Sequence, residues 1–245
     1  MTALPSLTIF FPAWNEEAGL ARTVAAAVEA GTRLEADGAI SALEVVIVDD
    51  ASTDATGTIA DDLAAADARV SVVHHPVNRG LGGAIRTGLA ASTGELVLYT
   101  DADLPFDLVE LDKAVRVARV YDADVVSLYR LDRTGEGPRR YVYSYLYNHL
   151  VRLLFGLRVR DVNFAGKLIR RRVLDAVELR SEGSFIDVEL LVAAQRRGFN
   201  VVQFGVDYFP RTRGVSTLSS WSTIFGILRE LRDLRRDLGR VSPQA

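Results

Sequence analysis

Residues 96–105 read "LVLYTDADLP": a short apolar run, then Asp101 and Asp103 separated by one alanine, then Pro105. Two aspartates spaced i, i+2 beyond the end of a strand can turn toward one point and offer a pair of hard oxygen ligands. Such a pair suits Mg²⁺ or Mn²⁺, which accept a few carboxylates and fill their other positions with water and phosphate oxygens. An ion held there would bridge a diphosphate and neutralise the charge that develops when it leaves. The rest of the chain removes competing chemistries. It has no cysteine, so disulfides, thiolate nucleophiles and Cys-ligated zinc are excluded, and His74, His75 and His149 are its only imidazoles. His74 and His75 stand at a strand end without a carboxylate at metal-ligand spacing and read as structural. No Ser/His/Asp order points to covalent acyl chemistry.

The aspartates need a rigid mount, and the pattern supplies one. "LTIFFPA", "LEVVIVDD", "VSVVHHP", "ELVLYTDAD" and "ADVVSLYR" read as strands, separated by helical patterns in 16–34, "DATGTIADDLAAADA", "GGAIRTGLAAS" and "LVELDKAVRVAR". This alternation implies right-handed βαβ units, hence a doubly wound α/β structure with a mostly parallel sheet flanked by helices. In such sheets ligands bind beyond the carboxyl ends of the strands. That is where "PAWNEE", "DDASTD", "DAD" and Arg130 fall. Ser52 or Asp54 could by itself cap a helix, but four polar strand ends together describe a site. Past residue 130 the alternation stops: "YVYSYLYNHLVRLLFG" reads as a helix, "DVNFAGKLIRRRVLDAV" as a strand running into a helix, "FIDVELLVAAQRRG" as an amphipathic helix, "NVVQFGVDYFP" as a strand and "STIFGILRELRDLRRDLG" as a final helix. The glycine-rich "NRGLGGAIRTG" fails the dinucleotide fingerprint, because the third glycine would fall at Ile85, and it lacks the lysine and hydroxyl of a P-loop. Gly82 and Gly83 then serve tight helix packing or close backbone approach to a ligand.

A chain of 245 residues that is 49% hydrophobic and 25% charged is ordinary globular material, long enough for one large α/β domain. No apolar run is long enough to span a membrane, and the opening residues do not read as a signal peptide, so a cytoplasmic protein is expected. The formal charge of -3 hides an asymmetry: residues 1–128 carry 8 Lys+Arg against 20 Asp+Glu, and residues 129–172 carry 11 against 3. A basic block in an acidic chain points to an anionic partner for that block. Nucleic acid is not expected.

At this point the residues carry a resemblance. "FPAWNEE", "VIVDDASTDAT", "NRGLGGAIRTG", "YTDADLP", "FAGKLIRRRVL", "FIDVELL" and "RTRGVSTL" occur in the order and spacing of family 2 glycosyltransferases with the GT-A fold. They look most like the polyprenyl-phosphate or dolichyl-phosphate mannosyl- or glucosyltransferases. The resemblance implies a GT-A domain over 1–218 with the amphipathic helix and tail of 219–245 in the same domain. It implies a metal-dependent, inverting hexosyltransferase acting on a nucleotide-diphosphate sugar, UDP- or GDP-hexose, with Mg²⁺ or Mn²⁺. By motif, Pro12, Trp14 and Glu16 with Val48 and Asp50 would line the nucleoside pocket, Asp50 pairing with uracil or guanine. Asp101 and Asp103 would bind the metal, with Ala102 at the backbone of the sugar nucleotide. Arg130 and Arg211 would contact the donor, and Arg139, Arg140 and Lys167 phosphate on the acceptor side. Two positions depart from the family pattern: Pro105 replaces a further metal-ligating glutamine, and Thr217 an expected lysine.

The acceptor decides whether a base is needed. A lipid phosphate arrives ionised, whereas a hydroxyl requires proton removal. Asp187 and Glu189 in "FIDVELL" are the candidates for that work, although Asp187 could instead cap the helix. The basic block, with the aromatic "YVYSYLY", favours a polyprenyl phosphate acceptor and peripheral contact at the cytoplasmic face of a membrane. The alternatives are a soluble or carbohydrate hydroxyl acceptor, or a non-catalytic nucleotide-sugar-binding protein.

Overall fold

The computed structural model describes residues 4–132 and 138–209, without the side chains of 138–143. Arg211, the "RTRGVS" loop, Thr217, the segment 219–245 and the side chains of Arg139 and Arg140 therefore lie outside the described residues. Within them, seven strands form one sheet: β1 (Leu7–Ala13), β2 (Leu43–Asp49), β3 (Val70–His74), β4 (Leu96–Tyr99), β5 (Val125–Arg130), β6 (Lys167–Arg170) and β7 (Val201–Val206). Their order is β3-β2-β1-β4-β6-β5-β7. The helices are α1 (Leu20–Ala36), α2 (Thr56–Ala66), α3 (Gly80–Ala91), α4 (Glu110–Val120), α5 (Pro138–Phe155), α6 (Arg171–Ala176) and α7 (Ile186–Arg196). The alternation read from the sequence is thus present, and the sheet is mostly parallel.

Alternating residues of the central strands feed opposite layers, as the period of two requires. Leu7, Ile9 and Phe11 of β1 pack with Leu20, Val24 and Leu34 of α1 and with Leu111 and Val115 of α4. Phe10 faces the other way, toward Ala84 and Ile85 of α3, Val151 and Phe155 of α5, and α7. Both faces of the sheet are covered, so its strands are apolar nearly throughout.

The element that organises the second half is β6, which runs antiparallel between β4 and β5. Its register sets Lys167 opposite Tyr99, at the carboxyl end of β4, and Arg170 opposite Leu96, at the amino end. This divides the basic block that the sequence presents as one unit. Arg170 donates to the carbonyls of Ala118 and Ala123, and Arg171 to those of Ser92 and Gly94, where cations suit helix C-termini. Arg172 pairs with Asp124. These three arginines hold the amino end of the sheet together and are not part of an anion-binding face.

A second correction concerns α7. The sequence reads as amphipathic, but every residue from Ile186 to Ala194 is buried, including Asp187 and Glu189. Phe185, just before it, packs on Phe155 of α5 with ring centroids 6.3 Å apart. A helix covered all round carries polar residues only where they have internal partners.

On the α3 side, Gly88 lies over Phe10: a Cβ there would come within 2.2 Å of the ring. Gly88→Ala should therefore cost about 1–3 kcal/mol through overpacking. Urea unfolding of the variant should show a lowered midpoint with unchanged slope; an unchanged midpoint would show that the ring can move aside.

Candidate functional site

Three adjacent parallel strands, β2, β1 and β4, end side by side, and the loops that follow them carry most of the candidate residues. Each of these loops contains a non-glycine residue in the left-handed region: Asn15 after β1, Ala51 after β2 and Leu104 after β4, with φ of 57°, 57° and 51°. Such a conformation costs on the order of 1–3 kcal/mol per residue and persists only where the surroundings impose it.

The first two loops impose it on each other. Asn15 N–H donates to Ser52 Oγ at 3.0 Å, and Thr53 N–H returns a bond to Asn15 Oδ1 at 2.8 Å. Glu16 N–H donates to Thr56 Oγ1 at 2.7 Å, and Ala55 N–H to Glu17 Oε2 at 3.0 Å. Asp54 accepts from Thr56 N–H at 2.9 Å just ahead of α2, whose N-cap is Ala55, while Ser52 serves the neighbouring loop. The lacing leaves the Trp14 side chain outside, 56% exposed, as a free aromatic face beside the end of β1. Val48 is fully buried in the core, so it can only support a nucleoside pocket from beneath.

The doubled aspartates after β2 diverge. Asp49 accepts from Ser52 N–H at 3.1 Å and meets His74 Nδ1 at 2.9 Å; the other ring nitrogen of His74 lies 3.0 Å from Asp61. Asp50 turns the other way, with Oδ1 2.6 Å from His75 Nδ1 and 2.8 Å from the Arg79 N–H. Both histidines are taken up by hydrogen bonds to acidic side chains of the fold. Their partners were missed, yet the signal was there: "DD" and "HH" end neighbouring parallel strands, and the register sets Asp49 beside His74. The hydrogen bond to Asp61, then that to Asp49, raises the pKa of His74 above its ordinary 6.5. Burial pushes Asp49 upward, but its bonds from Ser52 and His74 outweigh this and leave it lowered.

After β4, Ala102 is buried and its carbonyl accepts from the Thr23 hydroxyl of α1 at 2.5 Å, which pins the middle of the Asp-Ala-Asp turn. The Leu104 N–H closes the turn onto the Asp101 carbonyl at 3.2 Å. Pro105 is buried, and its carbonyl accepts from Phe209 N–H at 2.9 Å. Among the described residues no group of three or more His, Asp or Glu forms a ready-made cage. Two carboxylates on a pinned turn nevertheless match Mg²⁺ or Mn²⁺, which leave most positions to water and substrate phosphate.

Directly behind this turn lies a buried charge cluster. Lys167 Nζ, with no exposed surface, sits 2.7 Å from Asp187 Oδ1 and donates to the Phe164 carbonyl at 2.8 Å. The Tyr99 hydroxyl donates to the same carboxylate at 3.2 Å. Lys167 is therefore turned inward and its ammonium is taken up by Asp187 and the Phe164 carbonyl, a correction to its reading as a phosphate-binding cation. Burial raises the pKa of Asp187 against the opposing pull of Lys167. Burial, then the charges of Asp187 and Asp101, hold the Tyr99 phenol well above its usual range, so it stays a donor. Glu189 is likewise engaged: it accepts from Arg180 N–H at 3.0 Å and from Ser181 N–H at 2.9 Å. Asp187 makes no capping bond, so the capping alternative does not describe it.

Gly82 explains why residues 180–182 are held. A Cβ there would meet the Ser181 carbonyl oxygen at 2.4 Å, and Gly82 N–H donates to the Glu182 carbonyl at 2.9 Å. The glycine-rich segment thus receives backbone of its own chain. Arg130, at the end of β5, is gripped by Asp161 at 2.7 and 2.8 Å and lies over the rings of Phe164 and Tyr208. Asp161 was not singled out in the sequence, although it is one of only three acidic residues in the basic block.

A mostly parallel sheet, one inserted antiparallel strand and aspartates on a turn after a central strand define a GT-A glycosyltransferase. The chain belongs to glycosyltransferase family 2: the family model "Glycosyl transferase family 2" matches residues 8–177. It is 36% identical over 210 residues to the glycosyltransferase AglD of Haloferax volcanii, covering 84% of this chain but only 33% of AglD. The chain thus spans about a third of that relative. It is 34% identical over 189 residues to polyprenol monophosphomannose synthase of Mycolicibacterium smegmatis, covering 72% of this chain and 71% of that one. Undecaprenyl-phosphate mannosyltransferase of Micrococcus luteus is 32% identical over 195 residues, covering 74% and 78% respectively. Among solved structures, glucosyl-3-phosphoglycerate synthase of Mycobacterium tuberculosis, in complex with Mn²⁺, UDP-glucose and phosphoglyceric acid, superposes with a TM-score of 0.65 at 22% identity, over 93% of this chain and 80% of that one.

Two predictions test the electrostatics. Lys167→Met should destabilise the protein by about 3–5 kcal/mol by stranding Asp187, and the double variant Lys167→Met/Asp187→Leu should recover much of the loss; chemical denaturation of the two singles and the double measures the coupling, and additive losses would rule it out. Because the folded pKa of His74 lies above 6.5, its stabilising bonds are fully present below that pH and fade as pH rises through the folded value. The stability gap between wild type and His74→Gln should therefore be larger near about pH 6 than near about pH 9, as read by urea midpoints at the two values.

Proposed function

We propose that this chain transfers a hexose from a nucleotide-diphosphate sugar to a polyprenyl phosphate, with inversion at the anomeric carbon. The observation that carries the acceptor class is the engagement of Asp187 and Glu189. One is paired with Lys167 and Tyr99, the other holds two backbone N–H groups, and both are buried. A hydroxyl acceptor would need one of them to take its proton. A phosphate oxygen, already ionised at neutral pH, needs no such base. It attacks the anomeric carbon directly, and the bond from that carbon to the nucleoside diphosphate breaks with its electrons going to the leaving oxygen.

Trp14 and Asp50 would receive the nucleoside, and Asp101 and Asp103 would hold Mg²⁺ or Mn²⁺, which when bound neutralises charge on the leaving diphosphate. Arg130 would offer its cation to the donor phosphates from within its pair with Asp161, which fixes the plane of the guanidinium. The names of the two mannosyl-transferring relatives, each matched over more than two thirds of its length, support the polyprenyl phosphate reading. The acceptor places the reaction at a membrane surface. Among the described residues no helix is long and apolar enough to cross one. The outer side of α5 carries exposed Tyr145, Leu146 and Leu153 with Arg152, a composition suited to peripheral contact.

Purified protein given radiolabelled nucleotide sugars with Mn²⁺ should move label into the organic phase only when polyprenyl phosphate is added, and Asp103→Ala should reduce that rate at least about 100-fold. Organic-phase label without the lipid, or wild-type turnover in the variant, would sink the acceptor and metal assignments respectively.

A further inference from the structure

The carboxylate of Asp50 is not symmetric in its surroundings. Oδ1 takes two close partners, the His75 ring at 2.6 Å and the Arg79 amide at 2.8 Å. A ring nitrogen at that distance from a carboxylate oxygen must carry a proton, since two acceptors would repel, so His75 Nδ1–H is a donor. The far nitrogen of His75 lies 2.9 Å from the Thr87 hydroxyl of α3, which fixes the ring from behind. Asn78 clasps the same residue through its backbone, its amide donating to the Asp50 carbonyl at 3.1 Å. Gly80, with φ of 72°, turns the chain from this clasp into α3. One carboxylate oxygen has two lone pairs in its plane, and Oδ1 has two donors. Among the described residues no hydrogen bond reaches Oδ2.

We propose that His75 and the Arg79 amide saturate one oxygen of Asp50, so that the nucleoside pocket accepts a base with a single imide N–H and selects uridine over guanosine diphosphate sugars. The inference rests on the sugar-nucleotide reading above and names its donor. Uracil presents one donor, N3–H, between two carbonyls, and one free carboxylate oxygen satisfies it. Guanine presents two adjacent donors, N1–H and the exocyclic N–H, which match a carboxylate with both oxygens open. With Oδ1 filled, one guanine donor enters the site unpaired, a loss that lowers affinity about tenfold or more. His75 is a positioning residue: it sets which oxygen is open without touching the base.

The full chain, titrated calorimetrically with UDP and with GDP in Mg²⁺ buffer, should bind UDP about tenfold or more tightly. His75→Leu should narrow that ratio, and His75→Asn, whose side-chain amide can donate near the Nδ1 position, should restore much of it. Imidazole ¹⁵N shifts of the wild type should show a proton on Nδ1 of His75, a signature independent of either variant. Equal or tighter GDP binding, or an unprotonated Nδ1, overturns the proposal while leaving the transferase reading in place. Binding of neither nucleotide overturns the sugar-nucleotide reading itself.

Discussion

An ammonium and a carboxylate removed from water together cost several kcal/mol each unless they meet and their remaining valences are filled. Lys167 and Asp187 satisfy both conditions, with the Phe164 carbonyl on one side and the Tyr99 hydroxyl on the other. The arrangement joins β6, α7 and β4 at one point, immediately behind the turn that carries Asp101 and Asp103. An apolar replacement of the same volume could be as stable, but it would fix no particular rotation of α7 or register of β6, whereas charges that must meet fix both. Once α7 is set, Glu189 reaches the amides of Arg180 and Ser181, and the backbone beyond them closes onto Gly82. The same contacts hold two buried carboxylates in bonds within the fold.

The loops after β1 and β2 show a second use of hydrogen bonding. Left-handed Asn15 and Ala51 are locally unfavourable, and neither strained position is a glycine. Each is held by the other through side chains that bond across to the neighbouring backbone. Strain of this kind belongs where shape matters more than stability, and here it holds an exposed tryptophan beside the end of β1.

Much of this was legible in the sequence. The strand–helix alternation through residue 130 gave the parallel half of the sheet, since β-branched runs and helical periods follow from local physics. The polar residues read at strand ends do fall in adjacent loops, and the Asp-Ala-Asp turn follows β4. What failed was non-local. Nothing in "FAGKLIRRRVL" says that this strand enters the sheet antiparallel, yet that single fact sends Lys167 to one end and Arg170 to the other. Charge counted along the chain could not show that Arg130 and Lys167 are buried against Asp161 and Asp187, or that the arginine triplet is taken up at the amino end of the sheet, because the partners are distant or carry no sequence signature. The apolar spacing of α7 suggested two faces; only its packing in the folded chain shows that both are buried.

The placement of β6 also governs how the chain is made. β4 pairs with β1 on one side, but its other edge belongs to a strand about seventy residues further along. Until residue 170 has left the ribosome, β4 offers an open row of amides and carbonyls, and β5 has no neighbour linking it to the first half. Pairings between such distant segments must close a long loop before any contact rewards it, and so form slowly. A nascent chain of this protein therefore passes through a stage in which β4 carries one unpaired edge, the kind of edge that invites pairing with another chain.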